Sequence, residues 1–240
     1  MKIVAVIPSR YNSSRFPGKP LADINGLPMI IRVANQVNKV LDKKFIYIAT
    51  DDNRIKNVVE QYGYNYIMTK ECLTGTDRVA SCIDKIDADI YVNVQGDEPM
   101  IDPSHIKQII KEKTRNMNMV INSMVELKDN FDDKTIVKVV TNEKDELVYA
   151  SRNIIPYNSN KKYRQLGLYA FSKEELNQYY RSDKRSKLEY FEDVEILRFI
   201  DIGIKIKMIA FNDYYPSIDT IEDLNKVKQL LKDGDNRWII

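Results

Sequence analysis

Residues 4–21 read VAVIPSRYNSSRFPGKPL, and the rest of the chain is arranged around them. The apolar run Val4, Ala5, Val6, Ile7 is too short for a helix and predicts a buried strand, ended by Pro8 because proline brings no N–H to a central ladder. The following loop carries Arg10, Arg15 and Lys19, the small polar side chains of Ser9, Asn12, Ser13 and Ser14, and a Pro17-Gly18 turn. Backbone N–H groups and cations gathered in this way suit one anionic ligand, a phosphate chain first of all. Charge alone does not decide it, since most exposed Lys and Arg side chains are merely solvated.

Beyond the loop, Asn25-Gly26 predicts a tight turn between two short extended pieces, and Pro28 stands where a helix can open. That helix runs to about residue 41, with Ile30, Val33, Ala34, Val37, Val40 and Leu41 on one face. A strand over 45–49 follows, then a helix capped from Thr50-Asp51-Asp52 and stopped by Gly63, then a strand over 64–68. Such alternation predicts an α/β fold of Rossmann-like type, a mostly parallel sheet with helices on both faces. Ligands of these sheets lie beyond the carboxyl ends of the strands, where the loop after Ile7 emerges.

Further along, residues 90–94 form the most central-looking strand and run into Gln95-Gly96-Asp97-Glu98-Pro99. There Gly96 permits a close approach and Asp97 supplies a charge directed into the cleft, suited to Mg²⁺ as a hard oxygen ligand. Asp102 caps a helix from Pro103 that carries His105, the only histidine, which reads as surface decoration. Strands are predicted over 119–125, 163–171 and 205–211, with a hairpin of 136–140 and 147–149 in a small antiparallel extension over about 129–162. Helices are predicted over 172–181, 187–200 and 220–231, and about ten residues of helix after Gly75-Thr76-Asp77-Arg78. Residues 1–232 then form a single domain, and 233–240, ending in Trp238-Ile239-Ile240, a loosely docked tail.

Composition narrows the function classes. The 240 residues carry 37 basic and 35 acidic side chains, a net charge of +2, so no global field argues for nucleic acid or an acidic membrane, and any anion site is local. Cys72 and Cys82 imply no disulfide framework and suit a reducing compartment. With no basic leader and no apolar run near the roughly 18 residues of a membrane span, the expected location is cytoplasmic.

Several segments resemble, in the same order along the chain, the sugar-activating cytidylyltransferases, most closely the 3-deoxy-manno-octulosonate (Kdo) type. IPSRYNSSRFPGKPLADINGLPMI (7–30) resembles the family's IPARYxSxRxPGKPLxxIxGKPMI and departs at Ser9 and Leu27; VNVQGDEPMI (92–101) matches residue for residue. Gly75-Thr76-Asp77-Arg78 resembles a SGTER-like motif, Ser151-Arg152 with Ile155-Pro156 an SRxxIP segment, and SIDTIEDL (217–224) a VDTPEDL motif. KLEYFEDVEILR (187–198) resembles PLExxExLEQLR with Glu195 retained and Ile196 replacing a glutamine, while Gln165 replaces the histidine of an HxGIY pattern that keeps Gly167 and Tyr169.

The resemblance implies a nucleotidyltransferase-type fold and a reaction of CTP with a 2-keto-3-deoxy sugar acid to give a CMP-sugar and pyrophosphate. It implies catalytic roles for Arg10, Lys19, Asp97 and Asp219, magnesium on Asp97 and Asp219, and CTP contacts from Pro8, Ser9, Arg10, Ser13, Arg15, Lys19, Thr76, Arg78 and Gln95. Gln95, Arg152, Gln165, Tyr169, Glu195 and Ile196 fall at sugar-binding positions. With two polar partners replaced, a Kdo-like acid altered at one or more hydroxyl groups is the expected substrate, and relatives imply a homodimer formed through the 129–162 region or the tail. Local alternatives stand beside these roles: Thr76 as a helix cap, Arg78 as a solvated first-turn residue, and Asp219 or Thr220 as the cap of the last helix. An acylneuraminate-type or uridylyl enzyme of the same fold, or a non-catalytic sugar-nucleotide-binding protein, are the rival readings.

Overall fold

A computed structural model describes residues 1–13, 15–182, 184–214 and 216–232; the tail expected over 233–240 lies outside the described residues. In chain order the strands are β1 (Ile3–Ser9), β2 (Asp23–Ile24), β3 (Leu27–Pro28), β4 (Ile46–Thr50), β5 (Asn65–Met68), β6 (Ile90–Val94), β7 (Val120–Leu127), β8 (Lys138–Thr141), β9 (Leu147–Ser151), β10 (Lys162–Ser172) and β11 (Ile206–Phe211). The helices are α1 (Met29–Asn38), α2 (Asn53–Gln61), α3 (Gly75–Ala80), α4 (Pro103–Arg115), α5 (Lys173–Arg181), α6 (Lys187–Glu192), α7 (Leu197–Asp201) and α8 (Ile221–Lys232).

The main sheet runs β11-β7-β10-β6-β1-β4-β5. β1 pairs in parallel with β4 and β6, β4 with β5, and β7 with β11. β10 lies between β6 and β7 and runs against both. The antiparallel extension is the β8–β9 hairpin, attached to β10 through Tyr163 and Arg164.

Both sheet faces are covered, which is why the central strands read as continuous apolar runs. On one face Ile7, Ile48, Val92 and Leu168 pack under Ile30, Val33 and Val37 of α1, Ile55 and Val59 of α2 and Ile106 and Ile109 of α4. On the other, Val4, Val6, Tyr91 and Phe171 pack under Val79, Leu176, Tyr179 and Phe199. Each such aliphatic or aromatic side chain contributes roughly 1.5–3 kcal/mol relative to exposure. A third, smaller cluster joins Ile24 and Met29 to Met100, Ile218, Leu224 and Val227, and so docks α8 on the β2–β3 hairpin.

Four local expectations are corrected. Pro8 does not end β1, which pairs Pro8 with Ala49 and Ser9 with Thr50; on the β6 side pairing stops at Val6, so the missing N–H breaks no ladder there. The Gly75-Thr76-Asp77-Arg78 segment does not precede a ten-residue helix but forms the first turn of the short α3. The expected helix over 187–200 is split, because Asp193 adopts a left-handed φ of 53° between α6 and α7. His105 is not surface decoration: it stacks on Phe211 at 3.8 Å, and its Nε2 is 3.1 Å from Asp213 Oδ1, fastening α4 to the start of the loop before α8. The Asn25-Gly26 turn forms as expected, with φ of 49° and 89°.

The cap of α8 is settled by its hydrogen bonds. Thr220 Oγ1 accepts from the Asp223 N–H at 3.2 Å, and Asp223 Oδ2 accepts from the Thr220 N–H at 3.0 Å, a reciprocal cap that leaves the Asp219 carboxylate free for other partners. Thr220→Ala is therefore expected to lower unfolding stability by about 1 kcal/mol in urea titrations, whereas Asp219→Ala removes no cap.

Candidate active site

The carboxyl ends of β1 and β6 open into a pocket lined by Pro8, Ser9, Arg10, Ser13, Arg15, Lys19, Arg78, Gln95, Gly96, Asp97 and Asp219. Its geometry follows from close backbone approaches. A Cβ on Gly96 would stand 2.7 Å from the Pro8 carbonyl oxygen, so only glycine lets the end of β6 lie against the end of β1. Gly18 turns the loop at φ 73°, with the Tyr11 ring against it and its N–H donating to the Tyr11 carbonyl at 2.9 Å. The Tyr11 ring also carries the Arg54 guanidinium, 3.2 Å from its centroid, and Arg54 is held by Asp52, the cap of α2. The loop is thus braced by α2.

Lys19 is the centre of the charge arrangement. Its Nζ donates to Asp97 Oδ2 at 2.8 Å, to Asp219 Oδ1 at 3.2 Å and to the Ile218 carbonyl at 2.7 Å. The Ile218 N–H donates to the Asp97 carbonyl at 2.9 Å, so the two acid-bearing loops are also joined through backbone. Arg15 meets the same Asp219 oxygen at 3.0 Å. Among the described residues Arg10, exposed on the pocket wall, has no carboxylate partner and the buried Ser9 Oγ no hydrogen-bond partner. A cation without a counter-charge and an unsatisfied hydroxyl on one wall are groups that a polar anionic ligand would satisfy.

Around this core the expected contacts divide. Arg78 lines the pocket and is not a solvated first-turn residue: it is buried, donates to Asp51 Oδ2 at 2.7 Å and is fixed by the Thr69 hydroxyl. Thr76 does not reach the pocket. It is buried behind it, with its N–H and hydroxyl given to the Glu195 carboxylate at 3.1 and 2.9 Å, and α3 is capped by Thr74 instead. Ile196 is likewise corrected: as the residue before α7 it is fully buried in the core and offers no surface to a sugar.

Gln95 lines the pocket and continues it toward β10, where its side chain lies against Gly167. Gln165, Tyr169 and Glu195 are brought together there. Gln165 Nε2 donates to the Tyr169 hydroxyl at 3.2 Å, and the Tyr169 phenol is pushed well above its ordinary pKa by burial and by the Glu195, Glu98 and Asp97 carboxylates. Burial also raises Glu195, against the lowering effect of the Thr76 donors. Arg152 is not placed in this group. Its guanidinium donates to the carbonyls of Lys134, Thr135 and Asp193, tying the β8–β9 extension to the break between α6 and α7.

Sequence reasoning gave Glu98 no role, although it lies inside the QGDEP segment. Its carboxylate accepts from the Gly167 N–H at 3.0 Å, and burial with the neighbouring Asp97 charge pushes its pKa up to about 7. Asn122, fully buried on β7, was also missed; nothing in the alternation of a buried strand marks one asparagine as functional.

Comparison with known proteins agrees with this geometry. The family model described as cytidylyltransferase matches residues 4–206. A 3-deoxy-manno-octulosonate cytidylyltransferase from Parabacteroides distasonis is 41% identical, over 96% of this chain and 98% of its own. An 8-amino-3,8-dideoxy-manno-octulosonate cytidylyltransferase from Shewanella frigidimarina is 39% identical, over 94% of this chain and 97% of its own. Among solved structures, a CMP:2-keto-3-deoxy-manno-octonic acid synthetase complexed with CTP superimposes with a TM-score of 0.91 at 35% identity, covering 97% of this chain and 99% of that one. With its motifs gathered at one pocket and its relatives matched along nearly their whole length, the chain belongs to the cytidylyltransferase family, in its Kdo cytidylyltransferase branch, and is a nucleotidyltransferase.

Proposed function

We propose that the chain transfers a cytidylyl group from CTP to a Kdo-type 2-keto-3-deoxy sugar acid. The anomeric hydroxyl oxygen forms a bond to the α-phosphorus, the bond from that phosphorus to the β-phosphate bridging oxygen breaks, pyrophosphate leaves, and the hydroxyl proton passes to solvent. The observation that carries this reading is the meeting of Lys19 with Asp97 and Asp219, at 2.8 and 3.2 Å, in a pocket whose walls also bear Arg10 and Arg15. An anionic triphosphate and an anionic sugar acid have to approach, and two unit charges about 4 Å apart at an effective dielectric near 20 repel by roughly 4 kcal/mol. Arg10, Arg15 and Lys19 offset that repulsion before the reactants meet. Ser9, Ser13 and Arg15 line the pocket and would read the pyrimidine edge, and Gln95, Tyr169, Glu195 and Gln165 would receive the sugar.

The donor set at the pocket suits magnesium. Two hard carboxylates, Asp97 and Asp219, converge there, and among the described residues no three acidic, histidine or cysteine side chains gather into a cage, so phosphate and water oxygens would complete the shell. When bound, Mg²⁺ supplies charge neutralisation at the phosphates and acidifies a coordinated hydroxyl. No protein nucleophile is needed, because the substrate hydroxyl itself attacks.

A second copy of the chain is the proposed partner in solution. Val148, Ile154 and Tyr157 of the β9 region, with Tyr190 and Phe191 of the adjoining α6, are exposed, Tyr157 at 98%. Light scattering is expected to give a dimer, and Tyr157→Asp combined with Phe191→Asp a monomer; a wild-type monomer contradicts this.

Pyrophosphate release with CTP, magnesium and a set of 2-keto-3-deoxy acids tests the reaction. Release with a Kdo-type acid that stops on chelation and resumes with added Mg²⁺ is the expected result. Asp97→Ala is expected to lower turnover by about 100-fold or more with little change in melting temperature. Binding of CTP without release for any acid would favour a non-catalytic binding protein.

A further inference from the structure

The sheet register along β10 breaks between Leu166, opposite Ser123, and Tyr169, opposite Asn122, so Gly167 and Leu168 form a bulge facing the end of β6. Three backbone groups of that bulge are held beside the site. The Gly167 N–H donates to Glu98 Oε1 at 3.0 Å, and the Gly167 carbonyl accepts from the Gln95 N–H at 3.1 Å. Asn122 Nδ2 donates to the carbonyls of Leu166 and Leu168 at 3.1 and 2.9 Å, and Ser123 Oγ to Leu168 at 3.2 Å. A Cβ on residue 167 would stand 2.5 Å from Glu98 Oε1, so the clamp closes on glycine alone.

The clamp also sets a polarity. Backbone carbonyls can only accept, so the Asn122 NH₂ is fixed on them, and its Oδ1 accepts from Gln165 Nε2 at 3.0 Å. The second hydrogen of the Gln165 NH₂ goes to the Tyr169 hydroxyl. Both donors of Gln165 are committed within the protein, and its amide oxygen, which has no partner among the described residues, is left for a ligand.

We propose that Glu98 and Asn122 are positioning residues for the sugar acid, holding the β10 bulge so that Gln165 offers a hydrogen-bond acceptor and selects a substituent that donates, a hydroxyl or an amine. This rests on the cytidylyl-transfer reading above. Neither residue touches the reacting atoms; both act through Gly167, Gln165 and Tyr169.

The test is steady-state kinetics of Glu98→Ala, Glu98→Gln and Gln165→Leu with 3-deoxy-manno-octulosonate and its 8-amino-3,8-dideoxy analogue, beside amide hydrogen exchange of β10 peptides. Glu98→Ala leaves the Gly167 N–H without its acceptor and is expected to raise the sugar-acid KM about tenfold or more, leave the CTP KM within about twofold, and speed exchange at Gly167. Glu98→Gln keeps an oxygen for that N–H and is expected to recover most of both effects. Among deoxyfluoro analogues, which accept but do not donate, one position is expected to lose about tenfold in kcat/KM with wild type and little with Gln165→Leu. Equal rises in both KM values, failure of Glu98→Gln to recover them, or the same fluoro loss in Gln165→Leu overturns the proposal. Wild type that turns over no sugar acid defeats the cytidylyl-transfer reading instead, and unchanged exchange in Glu98→Ala then overturns the clamp separately.

Discussion

The ammonium of Lys19, shared by Asp97 and Asp219, is the constraint on which the architecture of the site depends. These groups lie 78 and 200 residues apart in sequence, and three separate segments must end at one point for them to meet. Parallel pairing of β1 with β6 brings the first loop beside Asp97. The small cluster of Ile24, Met29, Ile218 and Leu224 then seats α8 on the β2–β3 hairpin and delivers Asp219. Like charges on the two aspartates would repel without a cation between them, so Lys19 stabilises the site in the arrangement that a metal and a triphosphate would use.

Behind this pocket, buried charges rather than apolar packing fix the first turn of α3. Arg198 is almost fully buried and donates to Glu189 at 2.6 and 2.7 Å and to Asp77 Oδ1 at 2.6 Å, while Asp77 closes the Thr74 cap. The carboxylates hold the guanidinium pKa above its ordinary value although burial opposes this. Because α3 supplies Thr76 to Glu195 and Arg78 to the pocket wall, the split between α6 and α7 has a purpose: it returns Glu195 and Arg198 to α3, which one straight helix would not do. Buried pairs of this kind contribute specificity of arrangement more than net stability.

Most of the first half was legible because its signals are local. Asn25-Gly26 demanded its turn, Asp52 and Asp102 announced their helices, and the loop after Ile7 had to emerge at the carboxyl edge of the sheet. The failures share a cause. The contacts expected of Thr76 and Ile196 came from motif resemblance and the helix over 187–200 from local periodicity, whereas tertiary placement decides all three: Thr76 is held by Glu195, Ile196 lies in the core, and a left-handed Asp193 splits the helix. Glu98 and Asn122 escaped notice because their role lies in backbone groups of a bulge, and a bulge leaves no mark in hydrophobic periodicity.

The central claim, that Asp97 and Asp219 serve one shared cation site, is tested most directly by a double-mutant cycle on kcat/KM. Asp97→Asn, Asp219→Asn and the double variant should each lose activity to a similar extent, because either change alone disables the site. Losses that multiply in the double variant would show two independent roles and contradict the account.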